Sequence, residues 1–283
     1  ILSLNIITFF PESSTSSSSE LFTEPQTNNS TLHAIDSKSQ AANSLPEPTK
    51  PLPILPLSFN SSSINVESLS LLSPPYTFLQ SINTSKNLIF IGDVHGALPE
   101  LKSLLTTIKY NPANDHLIFL GDLVAKGPSS LEVLEYVRKL SENGNIDCVR
   151  GNHDDKLLRW KFFLEALSTT GIHLNDYVNK YELPKHLRLE NEHMRLASVM
   201  DKESYEFLLS CPMVIEFPDE NLYAVHAGLL PNILPNEQDP MDIMNMRNIK
   251  PDGHPTKSKK QGKPWSKFWN FFQIFVRIRL EMC

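Results

Sequence analysis

Four short polar stretches, each closing an apolar run, carry the side chains of this sequence that could do chemistry: Gly92-Asp93-Val94-His95-Gly96, Gly121-Asp122-Leu123-Val124-Ala125-Lys126-Gly127, Gly151-Asn152-His153-Asp154 and His226-Ala227-Gly228. Between them they offer the carboxylates of Asp93 and Asp122, the imidazoles of His95 and His226 and the amide oxygen of Asn152. A mixed oxygen and nitrogen set without thiolate suits divalent ions such as Zn, Mn, Fe or Co. The Asp-x-His pair lets two side chains of one turn reach one ion, and a central carboxylate such as Asp122 can bridge to a second. Two ions about 3.5–4 Å apart hold a hydroxide and clamp both oxygens of an in-line phosphoryl displacement. His153, beside Asn152, faces the leaving group as general acid. Arg150 and Lys126 supply cations for phosphate oxygens, Arg as a bidentate fork and Lys as a point charge. Taken singly, each loop reads equally well as a helix cap or a solvated turn. The set together points to a dinuclear site.

The apolar runs Asn87 to Ile91, His116 to Leu120, Ile146 to Val149 and Leu222 to Val225 predict short buried strands. The first three are followed by helical spacing: Leu98 to Tyr110, with Leu98, Leu101, Leu104, Leu105 and Ile108 on one face; about Ser129 to Leu140; and His153 to about Leu167. Successive strand, loop and helix units predict parallel strands with crossover helices, and in such sheets the site lies beyond the carboxyl ends of the strands. Met213 to Phe217 and Leu222 to Val225, separated by Pro218-Asp219-Glu220-Asn221, predict an antiparallel hairpin and hence a second sheet. Thr169 to about Val199 is charged and His-containing and reads as a helical insertion near the site. His33, His116, His173, His186, His193 and His254 are set aside as non-ligands.

A formal net charge of −6 leaves no clustered basic face for general nucleic-acid binding, so a phosphorylated small molecule or polyphosphate must be held by metal or by a few local cations. Cys148, Cys211 and Cys283 form no paired framework, and no disulfide is expected; Cys148 reads as a small core residue. Residues 1–85 are dominated by Ser, Asn, Thr and Pro and predict a disordered leader, because such a segment cannot offset its chain entropy by burial. Ile1 to Phe10 reads either as an apolar patch of that leader or as the end of a signal or anchor segment, too short to span a bilayer. The expected compartment is the cytoplasm, with a vacuolar or lumenal alternative, and the expected state is a monomer whose membrane anchoring would run through the N-terminal segment.

The motifs GDVHG, GDLVAKGP, GNHD and HAG resemble the calcineurin-like metallophosphoesterases, in the phosphoprotein phosphatase branch, over about Asn87 to Arg247. GDLVAKGPSS and GNHDD are similar to the ApaH-like group: symmetrical dinucleoside tetraphosphatases, eukaryotic ApaH-like phosphatases and fungal zinc-dependent endopolyphosphatases. Protein serine/threonine phosphatases carry an Asp-Arg pair where this chain has Ala125-Lys126. The resemblance implies two divalent ions, the first on Asp93 and His95, the second on Asn152 and His226, with Asp122 bridging. It implies His153 as proton donor and Lys126 and Arg247 as phosphate contacts. It also implies an α/β two-sheet sandwich flanked by helices over residues 86–250, acting on polyphosphate or dinucleoside polyphosphate; a serine/threonine protein phosphatase is the alternative. The family continues past its Met-Arg segment into a strand with one more metal-binding histidine. Residues 251–283 are instead an atypical basic and aromatic tail with no matching Gly-His-x-Ala. The expectation is therefore an incomplete domain, with an impaired metal- or phosphate-binding fragment as the further alternative. Trp265 to Leu280 is expected as a misread end, a helix docked on the core or a helix at a membrane surface.

Overall fold

The computed structural model describes residues 66–71, 73–142 and 144–268. After a 3₁₀ turn (Val66–Leu71) come β1 (Leu79–Ser81), β2 (Asn87–Ile91), α1 (Leu98–Thr107), β3 (Asp115–Phe119), α2 (Ser130–Ser141), β4 (Ile146–Cys148) and α3 (Asn152–Thr169). Then follow α4 (Leu174–Val178), α5 (Glu192–Val199), α6 (Lys202–Ser210), β5 (Val214–Phe217), β6 (Leu222–Val225), α7 (Pro240–Asn245), β7 (Asn248–Ile249), β8 (Pro255–Thr256) and β9 (Lys263–Pro264). β2, β3 and β4 pair in parallel in that order, joined by α1 and α2 as crossovers. β5 and β6 form the expected antiparallel hairpin.

β3 lies at the centre of the first sheet, and its alternating side chains feed two cores, as the two-residue period of a strand requires. Leu117 and Phe119 join the larger core with Val133, Leu134, Leu157, Leu158 and Trp160 of the helices. Ile118 points the other way, with Val149, against Ile215, Phe217 and Ala224 of the second sheet. The Phe90 and Phe217 rings meet edge to face across the sheets, with centroids 6.0 Å apart. Each fully buried Val, Leu, Ile or Phe among these contributes about 1.5–3 kcal/mol relative to exposure. The two sheets with helices on the outside are the sandwich expected from the motifs.

Two expectations are corrected. The leader predicted over residues 1–85 gives way to ordered chain from Val66: Leu69 is fully buried, and β1 pairs in parallel with β5, Leu79 opposite Val214. Thr77 and Phe78 accept hydrogen bonds from the Met213 and Val214 amides at 2.8 and 3.0 Å. The local composition is polar, but Leu69, Tyr76 and Phe78 find apolar partners that are distant in sequence. Residues 1–65 lie outside the described residues. Next, Cys148 and Cys211 form a disulfide, 63 residues apart in sequence with Cα atoms 5.3 Å apart. It joins the end of β4 to the end of α6, a juxtaposition that depends on how the helices pack. In the segment read as an atypical tail, β8 and β9 pair antiparallel on either side of β7. Residues 269–283, and with them most of the Trp265 to Leu280 stretch, lie outside the described residues. Among the described residues no helix is long and apolar enough to cross a membrane.

Candidate metal centre

Because β2, β3 and β4 run parallel, the loops after them emerge on one side. The Val94 and His95 amides donate to the Asp122 carbonyl at 3.1 and 2.9 Å, and the Gly96 amide to that of Leu123 at 2.9 Å, which joins the first loop to the second. The second joins the third through Asp154. Its buried carboxylate accepts the amides of Asp122 (2.7 Å), Leu123 (3.0 Å) and Gly151 (2.9 Å). Burial and the neighbouring Asp122 push the Asp154 carboxyl up to about 6, while these amides favour its charged form. The approach is close enough to require glycine at Gly121, where φ is +86° and a Cβ would come 2.6 Å from the Gly151 nitrogen. His95, Asp122, Ala125 and Lys126 all have positive φ, between 47° and 71°. Non-glycine residues hold such conformations only where surrounding contacts over-determine them, commonly at functional sites.

The five predicted ligands converge. Ligand atoms of Asp93, Asp122 and His226 lie within 4.8 Å of one another. Asp122 divides the rest between its two oxygens. Oδ2 is 3.6 Å from His95 Nε2, which is itself 3.3 Å from Asp93 Oδ2. Oδ1 is 3.6 Å from His226 Nε2, which is 3.3 Å from Asn152 Oδ1. Both imidazoles are oriented by backbone carbonyls, His95 Nδ1 by Val124 (3.0 Å) and His226 Nδ1 by Leu120 (2.7 Å). A carbonyl only accepts, so each Nδ1 carries a proton and each ring turns its Nε2 to the centre, the usual support of a metal-binding histidine. Burial works against charge on Asp93, but His95, His226 and Lys126 more than offset it and hold the carboxyl below its ordinary range. Burial likewise lowers His95, while Asp93, the Val124 carbonyl and Asp122 raise it on balance. This donor set fits a pair of divalent cations.

His153 sits beside the centre, its amide donating to Asp122 Oδ1 at 2.8 Å and its ring edge to face with His95 at 5.1 Å. Its Nδ1 is 3.0 Å from His193 Nε2, and the two rings stack 5.1 Å apart. Burial first, then Lys126 and Lys156, push His153 down to about 3; burial and Lys156 push His193 down to about 4. Lys126 is exposed, with its ammonium 2.6 Å from His95 Nε2 and its amide donating to Glu192 Oε2 at 3.0 Å.

Arg150, predicted as a phosphate contact, is elsewhere. It is fully buried, donates to the carbonyls of Pro75 (3.1 Å) and Leu209 (2.7 Å) and lies over the Tyr76 ring. With those partners it fastens the segment before β1 to the end of α6, and no phosphate can reach it. Arg247 is exposed; the Trp265 amide donates to its carbonyl at 3.3 Å, and the Trp265 ring packs over Gly228, two residues past His226. Asp154 and His193 received no role from the sequence. Asp154 had a signal, an acid at the third position of a helix opened by glycine, where it can reach back to free amides. His193 had none, since it comes from α5, 40 residues after His153.

A model of the calcineurin-like phosphoesterase family matches residues 86–276. The chain is 34% identical over 143 residues to the symmetrical bis(5'-nucleosyl)-tetraphosphatase of Shewanella sediminis (strain HAW-EB3), covering 50% of this chain and 44% of that protein. It is 56% identical over 71 residues to the protein of the same name from Erwinia tasmaniensis, covering 24% of each. The chain thus spans less than half the length of these curated relatives. Among solved structures, one provisionally assigned as a diadenosine tetraphosphatase superposes with a TM-score of 0.53 at 27% identity, over 69% of this chain and 75% of that one.

Proposed function

The chain belongs to the calcineurin-like phosphoesterase family, and on that premise we propose that it is a metal-dependent hydrolase of phosphoanhydride bonds, with dinucleoside polyphosphates or inorganic polyphosphate as substrate class. The observation that carries this reading is the division of donors by Asp122, with Asp93 and His95 on one oxygen and Asn152 and His226 on the other. Two divalent ions held by these residues supply Lewis-acid polarisation of the phosphoryl oxygens and a water of lowered pKa for in-line attack. Relatives named as bis(5'-nucleosyl)-tetraphosphatases support the substrate class.

The chain's own residues do the rest. Lys126, exposed beside His95, meets a phosphoryl oxygen as a point charge, and the exposed Arg247 serves as a second phosphate contact. His153 donates the proton to the leaving oxygen. In the free site, burial and the two lysines keep its imidazole neutral; a phosphate placed on Lys126 cancels part of that repulsion and favours the imidazolium that the donor must be. His193 holds the far nitrogen of the same ring. Ala125 leaves the Asp122 loop without the carboxylate of protein phosphatases, and His193 takes the place of such an orienting group. The Cys148–Cys211 bond favours the vacuolar or lumenal alternative over the cytoplasm, since disulfides persist in oxidising compartments.

The test is turnover by purified protein, with zinc, manganese or cobalt, of diadenosine tetraphosphate, polyphosphate, capped RNA and a phosphopeptide. The phosphoanhydrides should be preferred; a preference for the phosphopeptide overturns the substrate class. Asp122→Asn should remove activity on every substrate by a hundredfold or more, since even outer-shell partners of metal ligands are worth about 10–100-fold.

A further inference from the structure

A cavity of about 60 Å³ opens beside the metal centre, with Asn152 on its wall. On the same measure a water needs about 10–15 Å³, so the space admits a larger group. Its walls come from parts of the chain far apart in sequence: Lys156 and Arg159 from α3, His186 from the segment before α5, and Lys257 just after β8. The acid among the lining residues, Asp155, is already engaged, 2.6 Å from Arg159 Nε and 3.8 Å from Arg150 Nη1. Neither the Lys156 nor the Lys257 ammonium makes a hydrogen bond or ion pair among the described residues. The like charges are felt: burial, opposed by Asp122, together with Lys257, Lys126 and Arg188, lowers the Lys156 ammonium, and burial, Arg159, Lys185 and Lys257 lower His186. Unpaired cations converging on one small space are satisfied by an anion. No Phe, Tyr or Trp lines the cavity, and its one ring is the His186 imidazole; its apolar lining is Met241 and Met244.

We propose that this cavity is a subsite for a second phosphoryl group of a phosphoanhydride chain, held by Lys156, Lys257 and His186 while the group next to it lies at the metal-ligating residues. The subsite rests on the reading of the centre as a phosphohydrolase, and it deepens it: the substrate must present at least two linked phosphates, whether in an inorganic chain or between two nucleosides.

The experiment compares kcat/KM for inorganic tripolyphosphate, diadenosine tetraphosphate and p-nitrophenyl phosphate in the wild type, Lys257→Ala and the double variant Lys156→Ala/Lys257→Ala. Lys257 is exposed, so its single variant keeps its packing and reads the charge alone. Losing a point-charge contact should lower the ratio of tripolyphosphate to p-nitrophenyl phosphate by about tenfold in the double variant, with a partial fall in the single one and recovery in Lys257→Arg. A parallel fall for diadenosine tetraphosphate assigns the subsite to both sources of chain, and a fall for tripolyphosphate alone to inorganic chains. An unchanged tripolyphosphate ratio overturns the proposal, whatever the dinucleotide does. If the wild type turns over none of the three, the hydrolase reading fails, and calorimetric binding of tripolyphosphate with chelator present decides the subsite. Weaker binding by the double variant then supports it, and equal affinity overturns it.

Discussion

At the scale of single residues, the chemistry depends on one carboxylate and one pair of rings. Asp122 is the meeting point of the donors, and its Oδ1 also takes the amide of His153, so the proposed proton donor and the proposed ligands share one anchor. His193 is not one of the five donors, yet its Nε2 stands 3.0 Å from His153 Nδ1. A general acid is worth about 10²–10⁴-fold, and misorienting it forfeits part of that, so His193→Ala should lower kcat by about tenfold while leaving KM nearly unchanged. His193→Gln, which keeps a hydrogen-bonding group, should recover part of the loss. Steady-state kinetics on diadenosine tetraphosphate decide it. If His193 only fills space, the thermal midpoint of His193→Ala will drop while kcat per folded molecule stays at the wild-type value.

At the scale of elements, the loops are held by buried groups outside the donor set. Asp154 at the start of α3 ties two loops together, and Arg150 ties β4, α6 and the lead-in before β1. The second case separates a structural from a substrate role. Arg150→Met leaves the Pro75 and Leu209 carbonyls without their donor and Asp155 without one of its cations. Removing one partner of a buried charged network costs about 3–5 kcal/mol, and urea unfolding should show a loss of that order. KM of the folded fraction should not change. A raised KM at unchanged stability would return Arg150 to the phosphate.

The whole molecule should report the centre in its stability. Anything bound by the folded chain alone stabilises it by mass action, about 2.7 kcal/mol at a hundred times Kd. Chelation should therefore lower the thermal midpoint, and zinc or manganese should restore it; calorimetry that finds no uptake of either ion would contradict the centre. Acid should act through the histidine pair. His153 and His193 are held down to about 3 and about 4 in the fold, against an ordinary value of 6.5. Between those values the unfolded chain binds more protons, so stability rises with pH. Their contribution to stability is complete above pH 6.5 and is lost as pH falls toward 4. Melting of the chelated protein at steps from pH 7 to 4.5 should show this decline, and His193→Gln should make it shallower. A wild-type midpoint that stays level across that range would show that the pair is not held neutral.

Much of this was legible from the residues alone. Short apolar runs ended by Gly-Asp or Gly-Asn, each followed by a helical period, determined the parallel units and the side from which the ligands come, because strand and helix periodicity and glycine turns are local properties. Asp93, His95, Asp122, Asn152 and His226 were nameable for the same reason. Tertiary structure decided the rest. It placed Leu69 and β1 in the fold despite a polar neighbourhood, joined Cys148 to Cys211, turned Arg150 inward and brought His193 to His153. It also gathered Lys156, His186 and Lys257 around one cavity. Periodicity says which face of an element is buried, but not which distant element will cover it. Such contacts exist only once helices and sheets have packed, and no spacing along the chain encodes them.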